Sequence, residues 1–170
     1  FKFVVPLFVR SQHHRHRTWS YNEISRRYTD ENLQFYEPSA FRTQHESNRQ
    51  ASNAEELINP TITADNPQKA LLFSNKASRV VKQYHKNSVE FYNTLLGVGV
   101  CREQARGVLP QNLYTEYYGT VNCSNLLKFI DLRLDAHAQL EIQLVASACL
   151  EIATELWPET VGAYRDLKND

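Results

Sequence analysis

The sequence predicts a single α+β domain, with a small mixed or antiparallel sheet flanked by long helices. Three observations carry this. Residues 1–5 are apolar and aromatic apart from Lys2, and Pro6 closes the run, as in a short strand. Residues 114–121 are aromatic and β-branched, which suits a second strand. Between and after them lie stretches with helical spacing: Val81, Tyr84, Ser88, Phe91 and Leu95, then Leu140, Leu144, Ala148, Ile152 and Leu156.

Each element follows from local chemistry. Pro6 suits the first turn of a helix that Leu7, Phe8 and Val9 carry into a basic cluster. Residues 18–28 show no clear period and are expected to be irregular backbone around a site. Residues 33–36 suggest another short strand. Residues 37–69 are polar and rich in Asn, Gln, Ser and Thr, so a surface excursion is expected. Within it, Ser52 and Glu55 have the spacing of a helix capping box. The helix over residues 74–96 ends at Gly97 and Gly99. Residues 103–109 make a further turn or two before Pro110. Asn122, Ser124 or Asn125 caps a helix running to about Leu134, and Asp135 caps the last helix, with Pro158 just beyond it.

Bulk properties narrow the function. The chain has 170 residues, enough for one domain with a real core. Its formal net charge is zero, so nothing global favours nucleic acid or a membrane as partner. Cys101, Cys123 and Cys149 are odd in number and widely spaced, which fits free thiols in a reducing compartment, and a cytoplasmic location is expected. No apolar stretch reaches membrane-spanning length. The chain opens on Phe1 and contains no Met, which suggests that a preceding segment is missing.

Charge is unevenly placed. Between Arg10 and Tyr28 stand five arginines (Arg10, Arg15, Arg17, Arg26 and Arg27) and one acid, Glu23. Arginine forks bind phosphate or carboxylate bidentately and stay charged. A serine hydroxyl and backbone N–H groups would complete a phosphate cradle, and Glu23 offers an acceptor for a sugar hydroxyl. The histidines His13, His14 and His16 invite a metal reading. Neighbouring histidines on a helix point apart and no acidic or cysteine cluster supports them, so no metal is expected. The non-enzymatic alternative is a nucleotide or nucleic-acid binding module using this Arg-rich segment, with Trp19, Tyr21 and Tyr28 interleaved. The neutral overall charge weighs against it.

The order of residues is more telling than their composition. Arg15-His16-Arg17-Thr18-Trp19-Ser20-Tyr21-Asn22-Glu23-Ile24-Ser25-Arg26-Arg27-Tyr28 resembles the hallmark motif of flavin-dependent thymidylate synthases at every fixed position. A second block follows that family's C-terminal pattern: Ala105-Arg106, Leu109-Pro110, Asn122, Leu132-Arg133, His137-Ala138-Gln139 and Glu141-Ile142. The resemblance covers nearly the whole chain, least firmly at residues 37–69.

This resemblance implies an enzyme that converts dUMP to dTMP. Methylenetetrahydrofolate would be the carbon donor and NADPH-reduced FAD the hydride source. It implies dUMP contacts from Gln12, Arg15, Glu23, Ser25, Arg26, Arg27, Arg106 and Arg133, with Arg133 at the uracil ring as the catalytic residue. It implies FAD contacts from Arg15, His16, Arg17, Glu23, Asn122, Lys128, Leu132 and His137. Gln139 and Glu141 are expected to be packing and hydrogen-bond partners. A homotetramer with shared sites is implied, with no membrane and no nucleic acid as partner. Bland roles exist beside these: Asn122 as a helix cap, Leu132 as core, and His137 as a cap or first-turn residue.

The sequence departs from the family in places. Ser124 stands where an arginine is frequent, and Lys128 where Asn or His is frequent. The family's upstream HxxPxxH element, which lines the flavin and folate site, has no counterpart, so the chain is expected to lack the N-terminal segment. The cysteine-dependent thymidylate synthases are excluded, because no cysteine here stands in their local motif.

Overall fold

The computed structural model describes residues 1–25, 33–49, 51–63 and 75–169. Its centre is a three-stranded antiparallel sheet of β1 (Lys2–Pro6), β2 (Ser20–Glu23) and β7 (Tyr114–Thr120), in the order β1-β7-β2. Phe3 pairs with Tyr117 and Val5 with Thr115, while Asn22 pairs with Tyr118. Alternation decides which face is covered: Phe3, Val5, Thr115 and Tyr117 turn inward, while Val4 and Tyr118 face out. Gly119 also lies on the covered face. A Cβ there would come within 2.9 Å of the Phe3 ring and 3.1 Å of the Trp19 ring, so only glycine lets these aromatics close over the strand.

Helix α1 (Leu7–His13) leaves β1 directly and carries Val9 and His13 into the core. The later helices cover the same face: α4 (Cys123–Leu134), α5 (Leu140–Leu156) and α6 (Pro158–Asn169). Their buried residues Leu126, Phe129, Ile130, Ile142, Ala146, Cys149, Ala153 and Val161 form one cluster with Phe3, Val9, Trp19 and Tyr117. Burial pushes the Cys149 thiol up to about 12, so it behaves as a small apolar group. The α+β class, the strands at both predicted places and the helix to Leu134 agree with the sequence expectation.

Four expectations need correction. Residues 18–28 contain the strand β2, because the open edge of β7 supplies its hydrogen bonds. Residues 33–36 make only one bridge, Phe35 to Leu113, with flanking bonds to the 112–114 backbone. Ser52 begins no helix. It starts β4 (Ser52–Ile58), which pairs with β3 (Phe41–Gln44), and its hydroxyl accepts from Arg42 Nε at 2.8 Å. Ladder pairing outweighs the local capping pattern here. A small ribbon of β5 (Thr61–Ile62) and β6 (Asn75–Lys76) leads into α2 (Ala77–Gly97). Last, Asp135 does not cap α5, whose N-cap is Gln139. Asp135 closes the 135–138 turn, where it accepts from the backbone N–H of His137 at 2.8 Å.

The helical faces also differ from those read in the sequence. In α2 the inward residues are Ala77, Val80, His85, Ser88 and Tyr92, whereas Tyr84 and Phe91 are more than half exposed. The inward face is set by what it meets: His85 stacks on Phe35 at 4.6 Å and faces Glu37 at 3.2 Å. In α5 the inward row is Ile142, Ala146, Cys149 and Ala153. Leu144, Ile152 and Leu156 lie outside. Small residues let α5 approach α4 closely, and a helix apolar on both sides carries two stripes that periodicity cannot rank. Beyond α2, Gly99 takes a φ of 93°, as a helix-ending glycine does. Then α3 (Arg102–Ala105) and a 3-10 turn (Arg106–Val108) reach Pro110.

Candidate active site

The end of α1 is the organising point. His13 is fully buried, edge-on to Trp19 at 4.5 Å and to Phe3 at 4.7 Å, and it shares a 2.8 Å hydrogen bond between Nδ1 and the Tyr117 hydroxyl. Burial first, then the charges of His16, His14 and Arg133, hold its pKa down at about 3, so His13 is neutral. The Tyr21 hydroxyl donates to the carbonyls of His13 at 2.8 Å and His16 at 3.2 Å, closing the turn that follows the helix. Burial raises the Tyr21 phenol to about 12, so it stays a donor. That turn leaves Arg15 and Arg17 exposed, with no ion pair among the described residues.

His16 points the other way. Its Nε2 accepts from Arg133 Nε at 2.9 Å, and Arg133 Nη2 reaches the Gln12 carbonyl at 3.4 Å. Burial, then the Arg133 charge, lowers the pKa of His16, as a ring that accepts from a guanidinium requires. The two blocks that carry the family resemblance, 117 residues apart, therefore meet in this contact.

Two clefts flank this centre. The strand-side cleft, about 530 Å³, is lined by Arg10, Glu23, Ser25, Arg106, Gln111 and Thr115 among others. Thr115 Oγ1 donates to Glu23 Oε1 at 2.7 Å. Arg10 Nε lies 3.2 Å from the same oxygen, an ion pair out of line for a hydrogen bond. This cleft brings together Glu23, Ser25 and Arg106. Arg26 and Arg27 lie outside the described residues. Arg10 belongs to the lining although the motif does not include it; its place in the basic cluster and its three-residue spacing from Leu7 on α1 were the available signals.

The helix-side cleft, about 520 Å³, is lined by Lys128, Asp131, Leu132, Arg133, Asp135, His137 and Ala138. It unites Lys128, Leu132, Arg133 and His137. His137 is exposed, and its Nδ1 lies 2.9 Å from Asp135 Oδ1. Leu132 is exposed, not core. Asn122 sits at the opposite end of α4, where its side chain accepts from the Asn125 N–H at 2.9 Å as an N-cap. Gln12 belongs to neither lining. Its carboxamide Nε2 donates to Gln139 Oε1, and Gln139 Nε2 donates to Glu141 Oε2 at 2.8 Å.

Comparison with known proteins shows what the chain is similar to. Residues 1–159 match the family described as "Thymidylate synthase complementing protein" (Thy1). The flavin-dependent thymidylate synthase of Thermus thermophilus is 40% identical over 98% of this chain, and that of Thermosipho africanus 38% over 96%. The chain spans 56% of the first relative's length and 66% of the second's. Among solved structures, a UMP/dUMP methylase, PolB, from Streptomyces cacaoi bound with 5-Br UMP superposes with a TM-score of 0.77 at 28% identity. The match covers 97% of this chain and 71% of that one.

Proposed function

Because the chain belongs to the Thy1 family, the flavin-dependent thymidylate synthases, we propose that it converts dUMP to dTMP with methylenetetrahydrofolate as carbon donor and NADPH as reductant. The observation that carries this is the contact between Arg133 and His16, which joins the two motif blocks beside the helix-side cleft that Arg133 lines.

In this reading the strand-side cleft takes the sugar and phosphate. Arg106 and Ser25 bind phosphate oxygens, with Arg26 and Arg27 from the adjoining segment. Glu23, already polarised by Thr115 and Arg10, accepts from the sugar. Ser25 serves as a phosphate ligand. Gln12 holds the base. Arg133 lies over the pyrimidine, where its charge stabilises the negative charge that builds as the ring is activated.

We assign FAD to the helix-side cleft, whose lining also carries Asp131 and Asp135. Arg15, Arg17 and Lys128 are exposed cations suited to a pyrophosphate, and Leu132 and Ala138 give an apolar wall for a flat ring. His16, Glu23, Asn122 and His137 complete the proposed contacts. When bound and reduced, FAD supplies the hydride. The protein's part is to orient the reactants and hold Arg133 against the ring.

Each site is proposed to be shared between copies in a homotetramer. The outward row Leu144, Ile152 and Leu156 on α5 supports assembly, because an apolar stripe this long is ordinarily covered. Among the described residues, no helix is long and apolar enough to cross a membrane.

The test is direct. The purified full-length protein should show oxidised-flavin absorption and form dTMP from dUMP when given methylenetetrahydrofolate and NADPH. Absence of both flavin and dTMP would reject the assignment.

A further inference from the structure

Arg42 lies on β3, in the polar segment least like the family, yet its side chain is only 18% exposed. Its Nη2 donates to both oxygens of Glu141, at 2.9 and 3.0 Å. The Tyr36 hydroxyl donates to Glu141 Oε1 at 3.2 Å, and Gln139 Nε2 donates to Oε2 at 2.8 Å. Glu141 is thus surrounded by donors. Burial would raise its pKa, but the bonds from Gln139, its own backbone N–H and Arg42 outweigh this and hold it below the usual range. An ionised carboxylate can only accept.

That one-way polarity propagates. Gln139 must turn its NH2 toward Glu141, which leaves its oxygen toward Gln12. Gln12 must then donate through Nε2. Gln12 is left with its acceptor, Oε1, and with the second N–H of Nε2. Without the carboxylate at the far end, either amide could turn over at little cost, since its oxygen and nitrogen are nearly the same size.

We propose that Arg42 is a positioning residue of the nucleotide site. Acting through Glu141 and Gln139, it fixes the Gln12 carboxamide in one orientation, with Oε1 as the acceptor offered to the pyrimidine. This rests on the placement of Gln12 at the base. It identifies the substrate class as a pyrimidine with a ring N–H, as uracil has at N3. Cytosine carries a lone pair at N3, so the same oxygen repels it. The segment carrying β3 and β4 is then part of the specificity apparatus.

The experiment compares binding of dUMP and dCMP, which share sugar and phosphate, to the full-length protein. In Gln139→Met the relay is cut while the Arg42–Glu141 pair remains. Loss of one oriented hydrogen bond should weaken dUMP binding about three- to tenfold and leave dCMP binding unchanged or tighter. The dUMP preference therefore falls. Arg42→Met should shift the preference the same way, and Arg42→Lys, which keeps the charge, should recover part of it. If Arg42→Met does not fold, Gln139→Met decides alone. An unchanged preference in a folded Gln139→Met overturns the relay, even if both nucleotides bind more weakly. A wild-type protein that fails to prefer dUMP overturns the functional reading, and the relay with it.

Discussion

The strand-side and helix-side clefts have nearly equal volume but different construction. The strand-side cleft draws on α1, β2, β7 and the turn before Pro110, and its Glu23 is tied to Thr115 on the neighbouring strand and to Arg10. Its charges are set before any ligand arrives, which lowers the cost of ordering them on binding. The helix-side cleft uses one helical turn and the 135–138 loop. There Leu132 and His137 are open to water, and Arg133 is anchored by His16 and the Gln12 carbonyl. One surface is organised within the chain. The other offers an anchored charge beside an exposed apolar wall.

The largest effect should come from that anchored charge. Arg133→Ala removes a partly buried charged donor, which typically costs about 2–4 kcal/mol, on the order of a hundredfold in rate. The expected result is loss of dTMP formation with bound flavin retained. Glu23→Gln, on the organised side, should instead raise the KM for dUMP with less change in kcat. If Arg133→Ala alters only KM, the assigned contrast between the clefts is wrong.

Acid should act on both clefts, because both hang on the end of α1. An unfolded imidazole takes up its proton near pH 6.5, whereas His13 in the fold resists down to about 3. Between those values the unfolded chain binds more protons. The contribution is therefore whole above about pH 6.5 and is lost as pH falls toward 3. Lowered pKa values at His14 and His16 act with the same sign. Urea unfolding at pH 7.5 and pH 4.5 should differ by roughly 2–3 kcal/mol. The His13 ring signals should stay in their neutral position across that range. Titration of His13 near pH 6.5 would show that the core under the clefts is open.

Gly119→Ala tests the sheet that both clefts share. The added methyl meets the Phe3 and Trp19 rings at 2.9 and 3.1 Å, and overpacking of this kind costs about 1–3 kcal/mol. The thermal midpoint should fall, and dUMP and flavin binding should weaken together. Selective loss of one would mean that the clefts do not depend on a common frame.

How much of this was legible in the sequence follows the same division. Strand β1, strand β7 and the helix capped by Asn122 were readable because their signals are local: alternation, aromatic content and a cap. The motif located Glu23, Ser25, Arg106 and Arg133, and the fold gathers them into the two linings. Partner-dependent features were not legible. The face of α2 is decided by Phe35 and Glu37, the strand at Ser52 by β3, and the inner row of α5 by room beside α4. Arg42 was invisible for the same reason, since its carboxylate partner lies 99 residues away.

The smallest effect separates two roles of one residue. Asn122 caps α4 through the Asn125 N–H, and it is also a proposed flavin contact. Alanine removes the whole carboxamide, so alanine alone does not distinguish the two roles. Loss of the cap should cost about 1 kcal/mol in Asn122→Ala. Asn122→Asp keeps the capping oxygen and adds a charge that the helix N-terminus favours, so stability should hold or rise slightly. The same carboxylate beside an anionic cofactor repels it and removes the NH2 donor. If Asn122 touches the flavin, Asp should therefore lower flavin content while the thermal midpoint stays at the wild-type value. If it is a cap alone, flavin content should follow stability in both variants: slightly reduced in Ala and normal in Asp. The second outcome would confine the helix-side cleft to the last turn of α4 and the 135–138 loop. The first would extend it along the helix to its N-terminus, twelve residues of α4 serving as one wall.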